Sequence, residues 1–438
     1  KPLLIEMETI AVQGSDPVAV EVRKTEWGPV VGRNHRNELM VMRWTAHDSE
    51  GVNLSAMALE QANSVEEALP LAAQSGIPGQ NFLVVDRHGN QAWTILGPLP
   101  ERAGDGFDGR QPQDWSAGLN RWVAYRAADD YPVVLNPEAG RLWTGNARMV
   151  SDELLDVVGT AKYALGARQQ QIRDALLAQD RFNEADFLAL QLDDRALFLD
   201  RWQGLLSGVL RDLTQTRPDT DLVEMAELVD SWSARAAADD VGYLLVKRFR
   251  EKVIDQTVGH VHRYVRLQAG PVFQPGQVSN MLEYPVWALV TEQPERHLPP
   301  GFPDWDEFLQ TMAQDTLRTV RADGEPLAVQ TWGRFNRLSI SHPLADSLGP
   351  LGRFVRMPKE SMSGDTYMPR VQRPTTGASQ RLIVAPGQEQ RGIFHMATGQ
   401  SAHPLSPFFD RGHRDWVEGT ASPLLPGEPV YRLRFAPE

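Results

Sequence analysis

Short apolar runs broken by turn residues fill the opening of the chain. Ile5 to Val12, Val18 to Val22 and Leu39 to Trp44 are rich in β-branched or apolar residues, and Gly14-Ser15-Asp16-Pro17 separates the first two. That alternation predicts β structure. Ser64-Val65-Glu66-Glu67 then forms a capping box, and Ala68, Leu69, Leu71 and Ala72 continue it as a helix. Asn81-Phe82-Leu83-Val84-Val85 reads as a buried strand, Asp86-Arg87-His88-Gly89-Asn90 as a tight turn, and Gln91 to Leu96 as the returning strand of a hairpin.

From Ser151 to about Val261 the apolar spacing changes to that of helices. Leu154, Leu155 and Val158 open the region, Ile172, Leu176 and Leu177 continue it, and Asn183 caps a helix over Ala185 to Phe198. Another amphipathic stretch covers Thr220 to Ala237, after a loop from Thr214 to Thr220. Proline and glycine return after Gly270. Trp305 to Val320 is a further helix, because Phe308, Leu309, Met312 and Leu317 recur near helical spacing. Leu327 to Gln330, Arg381 to Val384 and Val430 to Leu433 are candidate strands. The order predicts one interwoven α+β body: a β-rich portion over 1–150, a helical region over 151–265 lying as an insertion over the β scaffold, and a β-rich portion over 266–438 that returns to the same core.

Composition narrows the classes. An apolar content of 42% supports a sizeable core, and a net charge of -13 argues against nonspecific nucleic-acid binding. The absence of cysteine excludes disulfides, thiolate metal sites and a cysteine nucleophile. No apolar run is long enough for a membrane span. No basic-then-apolar leader opens the sequence, so an export address would lie on a part outside it.

The nucleotide-binding and hydrolase motifs GxxxxGK[ST], HExxH and GxSxG do not occur. His260, His262, His342, His395, His403 and His413 lack metal-site spacing. Ser401, His403 and Asp410 form only a generic triad pattern. Tryptophans such as Trp44, Trp93, Trp115 and Trp122 fit either packing or an aromatic platform for carbohydrate or peptide. Asn81 is more pointed. It opens an apolar strand directly after Gly76-Ile77-Pro78-Gly79-Gln80. Such an amide either caps a turn or donates to an oxygen that becomes negative during acyl transfer, where one aimed donor is worth about 3 kcal/mol.

Several segments together resemble the large catalytic subunit of the penicillin acylase family. Gly79 to Asn90, followed by Gly97-Pro98-Leu99-Pro100-Glu101-Arg102, is similar to the segment carrying that family's oxyanion-hole asparagine and its proline–arginine element. Trp27-Gly28-Pro29-Val30 resembles its HGPV element with tryptophan for histidine, and Arg43-Trp44-Thr45-Ala46 follows. Asn136-Pro137-Glu138-Ala139-Gly140, Thr144-Gly145-Asn146, Thr331-Trp332-Gly333, His342-Pro343 and Gly377 to Arg381 then come in the family's order. Gly399 to Pro407 resembles its GQSGxPxSPH element, with Ala402 and Phe408 as departures.

The resemblance implies an N-terminal-nucleophile hydrolase, an αββα sandwich with a helical insertion, incomplete without its partner segments. In such enzymes a serine attacks an amide carbonyl and its own α-amine acts as base. Asn81 would sit in the oxyanion hole and Arg102 near the nucleophile. The serine would lie on a segment preceding Lys1, and a small α subunit would complete the protein after one precursor is cut. Implied substrates are acyl amides of the penicillin or acyl-homoserine-lactone type, with quorum-signal degradation as the consequence of the latter. The implied compartment is the periplasm. No cofactor is required for the chemistry. A structural calcium is common in the family, but Asn90-Gln91-Ala92 stands where its return-strand aspartate is expected, which leaves metal binding open. A noncatalytic carbohydrate- or peptide-binding protein on the same fold is the alternative.

Overall fold

The computed structural model describes residues 2–34, 36–104, 107–109, 111–159, 163–269 and 282–436; Lys1 and the stretch beginning at Gly270 lie outside them. The architecture is mixed α+β, as the patterning predicts. Two compact units divide the chain: Lys1–Gly166 with Gln256–Glu292, and Ala167–Asp255 with Gln293–Glu438.

The first unit opens with an antiparallel meander of β1 (Leu4–Ile10), β2 (Val18–Thr25), β3 (Gly28–Arg33) and β4 (Leu39–Val41). β1 and β2 pair from Leu4↔Lys24 to Ile10↔Val18. At the turn into β3, Gly28 has φ 143°, and a Cβ there would meet the Met42 carbonyl oxygen at 2.1 Å. Only glycine fits that crossing. Helix α1 (Val65–Gln74) follows, with the Ser64 hydroxyl accepting the Glu67 N–H as the capping pattern predicts. The returning bond differs by one position, since Glu67 accepts the Asn63 N–H at 2.8 Å.

β5 (Gln80–Val85) and β6 (Gln91–Leu96) form the expected hairpin, in register from Gln80↔Leu96 to Val85↔Gln91. β7 (Pro100–Ala103) pairs with β8 (Arg121–Tyr125), and β9 (Val134–Leu135) joins the far side of β6. β6 is therefore central in the order β5-β6-β9. Trp93 and Ile95 on β6 pack with Ala73, Leu99 and Tyr131 in a core cluster. The Tyr131 hydroxyl locks the exit of the hairpin by donating to the Gly97 carbonyl at 2.9 Å and accepting the Leu99 N–H at 2.8 Å.

β5 departs from the expected buried strand. Leu83 and Val85 remain 42% and 51% exposed, because among the described residues nothing covers the Asn81–Leu83–Val85 face of this edge strand along its length. Only Phe82 and Val84 on the other face are half-buried.

Beyond β9 the first unit adds α2 (Asp152–Val158). The second unit begins with α3 (Ala167–Leu177) and α4 (Glu184–Gln191). Asn183 caps α4 through a complete capping box, but the helix stops well before Phe198. The stop has a local cause: the Asp193 carboxylate accepts the Arg195 N–H and guanidinium and a Gln171 N–H, holding the chain in a turn. α5 (Asp200–Thr216) and α6 (Thr220–Asp230) follow, and α7 (Val241–Ala269) contributes to both units. α8 (Glu283–Glu292) belongs to the first unit, and α9 (Trp305–Val320) matches its predicted limits. Trp202, Leu206, Leu210 and Leu213 line one face of α5, and Phe308, Met312 and Val320 are buried on α9. That is the spacing of amphipathic helices sharing a core.

The end of the chain corrects two expectations. Leu327–Val329 is a 3-10 turn, entered from Pro326 and closed by Gln330 donating to Asp323, with no strand paired to it among the described residues. Val430 to Leu433 has no regular structure; Val430 is 83% exposed and Tyr431 91%, and neither pairs with a strand among the described residues. α10 (Trp332–Phe335) precedes two hairpins, β10 (Gln372–Arg373) with β11 (Thr376–Gly377), and β12 (Gln380–Ile383) with β13 (Ile393–Met396). α11 (His413–Glu418) closes the unit.

Candidate active site

The hairpin register places Asn81 opposite Ile95 and hence diagonal to Trp93 on the same sheet face. The indole N–H of Trp93 donates to Asn81 Oδ1 at 3.0 Å. Asn81 Nδ2 in turn donates to the Gly145 carbonyl, also at 3.0 Å. Trp93 is only 2% exposed, whereas Asn81 itself is exposed. A carboxamide at the surface is thus held by one bond from the core and one to the Thr144-Gly145-Asn146 segment. Its second Nδ2 hydrogen has no partner among the described residues.

A polar network fixes the other end of the hairpin. Asp86 accepts the N–H groups of His88 and Asn90, the Asn90 side-chain amide at 3.0 Å, and the Val65 N–H at the start of α1. The Asn90 amide bond and these backbone donors lower the Asp86 pKa to about 2. Asn136, in the left-handed region at φ 44°, accepts the Gln91 N–H and donates to Asn90 Oδ1. The NPxxG-like segment is therefore an anchor for the turn and for β6. Asn90 is bonded to that segment, and Asp86 to Asn90.

Arg102 on β7 lies in the same unit, but no hydrogen bond or ring contact joins it to Asn81 among the described residues. Its guanidinium donates to the Val157 carbonyl at 3.1 Å and to the Asp156 carbonyl at 3.5 Å, at the end of α2. Cations are favoured there by the helix dipole. A Cβ on Gly159, which ends α2 at φ 70°, would meet the guanidinium carbon at 2.3 Å. Burial and then the neighbouring Arg126 charge lower the Arg102 pKa. Trp122 lies beneath both Arg43, at 5.0 Å, and Arg102, at 6.0 Å, and Trp115 packs tilted against it.

The remaining candidates resolve into structural ties. The Ser401 hydroxyl accepts the His403 backbone N–H, and His403 Nδ1 accepts the Leu405 N–H. No bond links the Ser401 hydroxyl to that ring, or the ring to Asp410, among the described residues. The Gly399 to Pro407 segment is a closed loop, in which a Cβ on Gly399 would meet the Phe408 carbonyl oxygen at 2.0 Å. Arg381 donates to the Trp416 carbonyl at 2.8 Å, and burial lowers its pKa to about 10. Trp44 is 48% exposed beside His47, while Trp93 belongs to the core. Among the described residues, no group of three or more His, Asp or Glu side chains is gathered to hold a metal ion. No helix among them is long and apolar enough to cross a membrane.

Comparison with known proteins supplies context for this geometry. Residues 1–428 match the family profile described as penicillin amidase. The chain is similar to the penicillin acylase 2 proenzyme of Pseudomonas sp. (strain SE83), at 21% identity over 97% of this chain and 54% of that protein. It is also similar to the acyl-homoserine lactone acylase QuiP of Pseudomonas fluorescens, at 22% identity over 52% of this chain and 29% of that protein. The chain thus spans about half the length, or less, of these curated relatives. Among solved structures, a thermostable penicillin G acylase from Alcaligenes faecalis matches with a TM-score of 0.63 at 16% identity, covering 100% of this chain and 82% of that one. The mixed α+β fold resembles the αββα sandwich of that structure.

Proposed function

The chain belongs to the penicillin amidase family, and from that premise we propose that it is one part of an amidohydrolase cleaving a linear side-chain amide of the acyl-homoserine-lactone or penicillin type. In this reading a serine at the head of another segment of the protein adds to the amide carbonyl while its α-amine takes the hydroxyl proton. Negative charge then collects on the carbonyl oxygen, within reach of the uncommitted Asn81 N–H. The α-amine then gives that proton to the leaving nitrogen as the adduct collapses and the C–N bond breaks, and water, deprotonated by the same amine, releases the acyl group as a carboxylic acid and restores the serine hydroxyl.

The Asn81 carboxamide carries the proposal. It is exposed yet held by Trp93 and Gly145, so its donor is pre-oriented for a developing oxyanion, the condition under which such donors accelerate acyl transfer. Arg102 enters as a residue that orders the site through α2. The apolar Leu83 and Val85, exposed on the same face as Asn81, are surface that a partner segment would cover: the segment bearing the serine, with a small α subunit beside it. A structural calcium in the whole protein and a periplasmic location complete the reading, and the chemistry itself runs without a cofactor. A noncatalytic carbohydrate- or peptide-binding role is less well supported, because the Trp93 indole is committed to Asn81 in the core.

The experiment is hydrolysis of an acyl-homoserine lactone and of a penicillin by the whole protein, followed by release of the amine. Asn81→Ala is expected to lower kcat about 10²–10³-fold with the fold retained. An unchanged rate rejects the assignment.

A further inference from the structure

We infer that Trp93 is a positioning residue that fixes which end of the Asn81 carboxamide faces the reacting oxygen; the inference rests on the oxyanion reading of Asn81. The two ends of an asparagine side chain have nearly the same shape, so packing alone does not distinguish them, and hydrogen bonds decide. Here both ends are specified. Trp93 Nε1 can only donate, and it faces Oδ1 at 3.0 Å. The Gly145 carbonyl can only accept, and it faces Nδ2 at 3.0 Å. A half-turn of the amide would set donor against donor at Trp93 and acceptor against acceptor at Gly145.

The chemistry makes this choice consequential. A developing oxyanion is stabilised by N–H and repelled by a carbonyl oxygen, so the flipped amide would oppose the reaction. Asn81 is exposed, and solvent offers bonds to either orientation; the bias must come from the protein. The indole is suited to supply it. Trp93 is 2% exposed and packed with Ile95, Leu99 and Tyr131, so its N–H direction is set by the core. The hairpin register brings it to the diagonal position from which the N–H reaches Asn81. Trp93 makes no contact with substrate in this arrangement; it acts through the asparagine.

The test removes one N–H and keeps the shape. In the whole protein, Trp93 is replaced by benzothienylalanine, in which sulfur stands for the indole N–H, with Trp93→Phe as the genetically simple counterpart. The expected result with the analogue is a fall in kcat of about tenfold, the scale of one lost hydrogen bond, with KM unchanged and only a small loss in Tm. Trp93→Phe should lower kcat similarly and also lower Tm. In parallel, NMR of side-chain-labelled asparagine should show one Asn81 amide proton protected from exchange and its twin exposed, with the difference lost in the analogue. If Asn81→Ala lowers kcat about 10²–10³-fold but the analogue keeps the full kcat, the inference is overturned and the oxyanion reading stands. If Asn81→Ala leaves turnover unchanged, the oxyanion reading fails. The proton-exchange result then judges the orientation lock alone: two equally exchanging Asn81 protons in the unmodified protein would overturn it, and unequal ones lost in the analogue would uphold it.

Discussion

The Asp86 carboxylate accepts the backbone N–H of Val65 at 3.3 Å, so the turn of the β5–β6 hairpin is bonded to the first turn of α1. An anion is well placed at a helix N-terminus, where backbone N–H groups lack partners within the helix. The same carboxylate binds Asn90 and His88, and its pKa is lowered to about 2. In the unfolded chain an aspartate takes up its proton near pH 4. The stability due to Asp86 is therefore present above that range and is lost as pH falls toward 2. Asp86→Asn should lower Tm at neutral pH, and the gap to the unsubstituted protein should narrow between about pH 4 and pH 2. Thermal melts across that range, read by circular dichroism, check it; a gap independent of pH would count against the assignment.

Arg102 offers a separate test. Its guanidinium satisfies carbonyls at the end of α2, which Gly159 closes in the left-handed conformation. Arg102→Ala leaves those carbonyls without their donor and should cost about 1–3 kcal/mol in urea unfolding. Gly159→Ala should displace the guanidinium and reproduce part of the loss without touching its charge. A neutral outcome for both would mean that the α2 contact contributes nothing.

In the second unit, Lys247 is a largely enclosed cation held at 2.7 Å from the buried Asp365, whose carboxylate also accepts the Tyr243 hydroxyl at 2.6 Å. Burial alone would lower the Lys247 pKa, but the charges of Asp365 and Glu251 leave it raised. Removing Lys247 leaves the Asp365 carboxylate buried with only neutral donors, so Lys247→Met should cost about 3–5 kcal/mol; Asp365→Asn should cost less, because Lys247 keeps Glu251 at 3.3 Å. The double substitution should cost clearly less than their sum. Denaturant midpoints for the three variants complete the cycle; strict additivity would show that the pair is not coupled.

The sequence was most legible where several local signals agreed. Trp305 to Val320 has an apolar stripe, and the helix occupies those limits; the structure adds Asp304 as its cap, accepting the Glu307 N–H. The hairpin was readable from two apolar runs around Asp86 to Asn90, because a turn of that chemistry admits few alternatives. Leu327 to Gln330 had the composition of a strand but no partner, and strand formation depends on a neighbour rather than on the segment itself. β5 misled in the same way, since its apolar content did not reveal that it lies at an edge. At the candidate site, Asn81 stood out as an amide heading an apolar strand. Trp93 did not, although the hairpin register was sufficient to bring the two together. The bond to Gly145 spans 64 positions and left no local trace.

Among the described residues β5 is joined to its sheet by a single ladder, the one it shares with β6. The two bonds made by Asn81 therefore do mechanical work beyond aiming an amide: they rivet a peripheral strand to the interior and to a distant loop. Loss of that rivet would let the margin of the sheet fray and the donor drift together, so precision at this position and local rigidity are a single property.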